Sequence, residues 1–260
     1  MKALIATLAL IAFLMPAQVW AAVAHDTSDE SHTGTTGSAS EASFTWTHTA
    51  TGSPQGVLVF TCGLSSATND VTSVTYGGVN VPAVTGGAAS DAVTEPGNMK
   101  AWFLGSSIPT GNQSVVVNRN NNANILYAVS ISVTALSDTA VYEAGIVLQN
   151  GDVQAAEQSV DDGSPGTNSV RYAGTFSGWD APASLTVGAN TTGLRAIDIG
   201  SQLCQTARET TAGQGARSIG WTAASSDDTA AVYLAIKESA AAAGGSSDTT
   251  GATTILLLRH

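Results

Sequence analysis

The chain has 260 residues, only 11% of them charged, with nine Lys and Arg against 20 Asp and Glu for a formal net charge of −11. Lys100, Arg119, Arg171, Arg195, Arg208, Arg217 and Lys237 stand singly along it. The clustered basic side chains that grip phosphates are missing, which argues against nucleic acid or an anionic membrane surface as partner.

The N-terminus reads as an export signal. Lys2 supplies the positive charge, residues 3–15 form an apolar run, and Pro16 breaks it. Small residues at Val19 and Ala21, or at Ala22 and Ala24, then offer cleavage after Ala21 or Ala24. The apolar run falls short of the ~20 residues that span a bilayer. Residues 1–21 (1–24 with the later site) are therefore expected to be removed, leaving a secreted, extracellular, cell-surface or periplasmic protein with no membrane insertion.

Residues 22–42 contain almost no large apolar side chain and read as a flexible leader. The body starts at residues 43–48, where Phe44 and Trp46 alternate with Thr45 and Thr47. His48 closes this segment and is expected at the surface. Residues 57–62 form a continuous apolar run, which predicts a strand covered on both faces. Residues 71–76 and 79–84 flank Gly77-Gly78, a pair that accepts the positive φ of a tight hairpin. Pro82 in the returning arm favours a sheet edge.

Further strands are predicted at 99–104, 114–118, 125–134, 140–148, 170–176, 185–189, 194–202, 216–222 and 230–237. In 125–134, Val129, Ile131 and Val133 alternate with Ser130, Ser132 and Thr134. No stretch after the signal keeps helical apolar spacing, and no repeated motif is visible. The fold expected is all-β: a two-sheet antiparallel β-sandwich, jelly-roll-like, over residues 43–238. Residues 239–252 are Ala/Gly/Ser-rich, a linker composition, and 253–260 form a short apolar strand or tail.

Chemistry is sparse. His25 and His32 fall in the leader and His260 at the end, so only His48 is positioned to serve a folded site. No nucleophile elbow, zincin, Walker or dinucleotide motif occurs. Asp91, Glu95, Glu143, Glu157 and Asp180 are carboxylates by type, but nothing in the sequence pairs two of them as glycoside hydrolysis requires. No catalytic residue is assigned. Asp161-Asp162 and Asp227-Asp228 cluster hard oxygen ligands in expected loops, either a calcium site or plain acidic turns; beyond calcium no cofactor is expected. Trp179, flanked by Ser177-Gly178 and Asp180-Ala181-Pro182, is the best loop ring for stacking on a sugar, with Asp180 beside it. Trp46, Trp102 and Trp221 sit in alternating strands and are expected in the core. Cys62 and Cys204 are the only cysteines. In an oxidising compartment they form either one disulfide between neighbouring strands or two buried thiols.

Several stretches taken together carry a resemblance: 44–48 (FTWTH), 56–62, 71–79 (VTSVTYGGV), 99–104, 115–117, 218–222 and 231–237. They resemble a widespread, poorly characterised β-sandwich module of exported bacterial, environmental and phage-associated proteins. In that module a W-x-H strand leads to an apolar strand, a VTSVTYGG hairpin and a closing strand ending in AIK. The likeness spans about residues 43–238. It implies a jelly-roll-like domain for display, attachment or surface structure, and brings no catalytic residues. The expected function is a non-catalytic structural or adhesive protein, with copies of itself or surface glycans as partners. A carbohydrate-binding module is the alternative; a phage structural protein and a secreted hydrolase rank lower.

Overall fold

Turn residues and alternating apolar side chains divide the chain into short extended segments, and the computed structural model pairs them all in antiparallel ladders. It describes residues 23–32, 42–65, 70–92, 96–120, 126–134, 146–153, 156–161, 169–178, 185–199, 202–223 and 227–237. The first half contributes β1 (Ala24–His32), β2 (Ser43–His48), β3 (Gly56–Gly63), β4 (Val71–Tyr76), β5 (Val79–Val81), β6 (Ala83–Asp91), β7 (Gly97–Leu104), β8 (Gln113–Arg119) and β9 (Leu126–Thr134). The second contributes β10 (Val147–Val153), β11 (Gln158–Val160), β12 (Ser169–Ser177), β13 (Thr186–Val187), β14 (Thr191–Ile199), β15 (Gln202–Glu209), β16 (Arg217–Ile219), β17 (Trp221–Thr222) and β18 (Asp227–Lys237).

The fold is an all-β sandwich with more than the two sheets expected. A middle sheet runs β1-β9-β3-β7-β6, a cover sheet runs β2-β8-β4-β5, and a third sheet runs β10-β18-β12-β15-β14. Two short ribbons, β11-β16 and β13-β17, complete it. Three apolar clusters cement these layers. One joins the middle and third sheets through Leu58, Phe60, Phe103, Ile131, Tyr172, Phe176 and Leu234. Another joins the middle and cover sheets through Trp46, Val57, Val59, Tyr76, Trp102 and Val117. The last lies under the ribbons, around Ala173, Ala207, Ile219, Trp221 and Tyr233. Because the middle sheet is covered on both faces, β3 is buried at every position, as its unbroken apolar run predicts.

The halves repeat one another. In order, β1, β9, β3, β7 and β6 correspond to β10, β18, β12, β15 and β14. The cover pairings β2-β8 and β8-β4 correspond to β11-β16 and β17-β13, with the counterpart of β8 broken at Gly220, whose φ is 126°. Among the described residues every ladder closes within its own half. A repeat of strand order, with different side chains in each copy, leaves no motif for sequence inspection to find.

Several expectations need correction. Residues 24–32, read as leader, form edge strand β1, paired to β9 from Ala24↔Thr134 to His32↔Tyr127. The predicted segment 194–202 is divided: β14 ends at Ile199, and Gln202 opens β15, which carries Cys204. The predicted strand 140–148 shifts to β10, and residues 140–145 lie outside the described ones. Gly77 and Gly78 turn the β4–β5 hairpin with φ of 55° and 81°. β5 is an edge strand, and Pro82, which needs no ladder N–H, marks the crossing into β6.

Candidate functional site

The sequence-derived site residues are dispersed. Trp179, Asp180 and Asp162 lie outside the described residues, as do Glu95 and Glu143. Asp161 is exposed just after β11. Asp227 and Asp228 are not in a loop: they open β18, opposite Val153 and Asp152 of β10, and Asp228 is buried. Among the described residues no three His, Cys, Asp or Glu side chains are grouped to hold a metal. Cys62 and Cys204 form a disulfide, with Cα atoms 6.2 Å apart and 142 residues between them. It ties β3 of the middle sheet to β15 of the third, so it links the two repeated halves rather than two strands of one sheet.

The densest polar constellation surrounds His48, which is fully buried rather than at the surface. The signal was present: Phe44 and Trp46 face inward, and a period of two carries His48 to the same face. Ser130 and Ser132 are buried for a related reason, since they lie on the face of β9 opposite Val129 and Ile131, where Trp46 and His48 of the cover sheet reach Ser130. His48 Nδ1 lies 2.8 Å from Ser130 Oγ and 3.6 Å from Asp29 Oδ2, and Nε2 lies 3.2 Å from Thr27 Oγ1. Trp46 Nε1 donates to Ser130 Oγ at 3.0 Å, and the Thr27 hydroxyl donates to the Thr49 carbonyl at 2.9 Å.

The Nε2–H tautomer is compatible with these partners. The Ser130 O–H has two acceptors in reach, His48 Nδ1 at 2.8 Å and the Asp29 carbonyl at 3.3 Å. When it donates to Nδ1, His48 Nε2–H donates to Thr27, whose own O–H goes to the Thr49 carbonyl. Burial pulls the His48 pKa below its ordinary value, and Asp29 and Asp26 only partly offset it. Asp26 is raised by burial, but hydrogen bonds from Thr51 and Ser132 and from backbone N–H groups outweigh that and lower it.

A Ser–His pair with a nearby Asp invites a hydrolase reading. The geometry does not suit one. Ser130 Oγ is sealed from solvent and already accepts from Trp46, whereas a nucleophile must reach a substrate carbonyl. The chain of donors instead ties β1, β2 and β9 together.

A second buried cluster sits in the other half. Arg171 and Glu209 are both fully buried, 3.0 Å apart, and Arg217 pairs with the other Glu209 oxygen. Arg171 also donates to the carbonyls of Val160 at 3.2 Å and Gly213 at 2.8 Å, and to Gly215. The guanidinium thus fastens β11 and the 210–216 loop to β12. Its donors are consumed by the fold.

The surface holds a groove of about 200 Å³ lined by Val187, Leu194, Arg195, Ala196, Gln205 and Trp221, beside Gly193 and Thr206. Val187 is, with Leu148, an exposed large apolar residue among the described ones, whereas Trp221 is buried, as its place in an alternating strand predicts. No helix among the described residues is long and apolar enough to cross a membrane. The chain matches no protein-family model, no curated protein and no solved structure.

Proposed function

We propose that the chain is a non-catalytic structural or adhesive β-sandwich protein of an extracytoplasmic compartment. The disulfide carries this reading: it bridges the two halves of the molecule, and such a bond persists where the surroundings oxidise thiols. The signal-like N-terminus supports it, and so does the use of His48, Arg171 and Glu209 as internal fastenings. The resemblance to exported sandwich modules used for display or attachment points the same way. Copies of the same chain are the favoured partners.

Mass spectrometry of protein recovered from the producing cell tests export. A mature chain beginning at Ala22 or His25, with Cys62 and Cys204 resistant to thiol labelling, is expected. An intact Met1 with both thiols free in a reducing compartment rejects the reading.

A glycan-binding role is favoured by one observation. The groove sets the exposed side chain of Val187 beside Gln205 on a surface also lined by Leu194 and Arg195, an apolar and polar mixture suited to a sugar ring.

A further inference from the structure

The repeat between the halves fails at one place. In the first half the chain leaves β4, turns at Gly77-Gly78, lays down β5 and crosses at Pro82 into β6. In the second half it passes from β13 to β14 through residues 188–190 alone, with the Thr191 N–H donating to the Gly188 carbonyl at 3.0 Å. That connection holds no counterpart of β5. The positions just before it are equivalent in the two halves. Gly77 N–H donates to the Ser114 carbonyl of β8 at 2.8 Å. Gly188 N–H donates to the carbonyl of Gly220, in the counterpart of β8, at 3.0 Å. Val187 therefore stands where Tyr76 stands.

The two positions differ in what covers them. Backbone groups alternate in direction along an antiparallel strand, so those of Tyr76 and Val187 point away from the strand that Gly77 and Gly188 bond. On that side Tyr76 meets Val79 of β5. β13 has β17 as its ladder partner, and among the described residues no strand flanks its other edge. The side chains agree: Tyr76 is fully buried and Val81 of β5 is 1% exposed, whereas Val187 is 43% exposed.

The groove occupies the space that a counterpart of β5 would fill. β5 packs on β7, and the counterpart of β7 is β15. Gln205 and Thr206 of β15 and residues 193–196 of β14 line the groove, beside Val187 and Trp221. Ala196 and Gln205 are ladder partners on the face that Ala207 turns toward the ribbons. At about 200 Å³ the groove is smaller than the roughly 300–1,000 Å³ of a small-molecule pocket. The open edge of β13 beside it offers main-chain hydrogen bonds to an extended segment.

The chain carries a segment of matching chemistry. Thr253-Thr254-Ile255-Leu256-Leu257-Leu258 is uncharged and apolar, and residues 238–252, which join it to β18, are Ala/Gly/Ser-rich. A flexible linker of that length spans about 20 Å. From Lys237 the groove lies across β12 and β15, also about 20 Å away by strand spacing and rise. The side of arrival fits as well. Lys237 pairs with Ser169, at the end of the third sheet that also holds Glu209 and Thr191. β13 runs toward this end, where Gly188 bonds Thr191. A segment arriving from Lys237 enters there and lies antiparallel to β13, as β5 does to β4.

We propose that the groove and the open edge of β13 bind residues 253–258 of the same molecule as an added strand, in the place that β5 takes in the first half. This strand and a sugar are rival occupants of one groove, and the experiment separates them.

The measure is hydrogen exchange at the Val187 amide, followed by NMR on the full disulfide-bonded chain. Charges at alternate positions supply the variants, Ile255→Asp/Leu257→Asp and Leu256→Asp/Leu258→Asp. A docked strand turns one of these pairs into the groove and the other to solvent. One variant is expected to speed Val187 exchange about tenfold or more and the other to leave it near the parent rate, with β3 and β12 protected in both. A synthetic peptide of residues 251–260 is expected to slow Val187 exchange in the sensitive variant again, with a saturable dependence on its concentration. Equal Val187 exchange in the parent and both variants overturns the proposal. Slowing of the sensitive variant by an equimolar amount of the parent chain overturns it in favour of a second copy. Glycan binding by the parent chain that Val187→Asp abolishes overturns it in favour of a sugar.

Discussion

At the scale of single residues, two histidines withdrawn from solvent, His48 fully and His25 in part, make stability depend on pH in a defined direction. His25 and His48 are both held neutral, with folded-state pKa values below the unfolded value near 6.5. The native state therefore binds fewer protons than the unfolded chain over the interval between them. Their contribution is complete above about pH 6.5 and is lost as pH falls toward the folded value of His25, about 4. Urea midpoints are expected to drop between about pH 7.5 and pH 5.5, a range in which ordinary carboxylates stay largely ionised. The double variant His25→Gln/His48→Gln should lower the midpoint at pH 7.5 and flatten its pH dependence. An equally steep dependence in the double variant would assign the effect to other groups. His48 was legible to a reader who carried the parity of Phe44 and Trp46 two residues further. The Arg171–Glu209–Arg217 cluster was not, because residues 38 apart along the chain meet only through the β12–β15 ladder and the loop that follows it.

At the scale of elements, the strands that sequence reading found are those whose burial alternates or runs unbroken, such as β2, β3, β4 and β18. Those it missed have other sources of stability. β1 has no large apolar side chain and is seated by its ladder to β9, by Thr27 and Asp29 around His48, and by Asp26 on Thr51 and Ser132. β6 is Ala- and Gly-rich, and its value lies in small side chains that let the third sheet approach. Close approach also governs β12. Gly174→Ala would push a methyl group into Phe60 and Met99, and overpacking of this kind costs about 1–3 kcal/mol. Equilibrium unfolding should show that loss, with the far-ultraviolet spectrum unchanged. A neutral Gly174→Ala would mean that the two sheets part more easily than their contact at Gly174 implies.

At the scale of the whole molecule, two topologically equivalent units share one interior. Each unit closes its own ladders, and the units meet through the apolar faces of the middle and third sheets and through Cys62–Cys204. Closing a loop of 142 residues is worth about 5 kcal/mol in the chain-entropy treatment. That stabilisation acts on the connection between units, not on the strand pairs inside them. A specific protease site inserted between Thr134 and Ile146 separates the two roles. Cutting there removes no described strand pair, and without reductant the pieces remain covalently joined. Hydrogen exchange followed by mass spectrometry is expected to show β3, β9, β12 and β18 as protected after cutting as before. Reducing the bond should then lower the midpoint of unfolding and make it depend on protein concentration, because the pieces have become separate molecules held by the buried faces alone. Loss of protection in either half on cutting, before any reductant is added, would show that continuity of the chain, and not the closed ladders of each unit, maintains the fold.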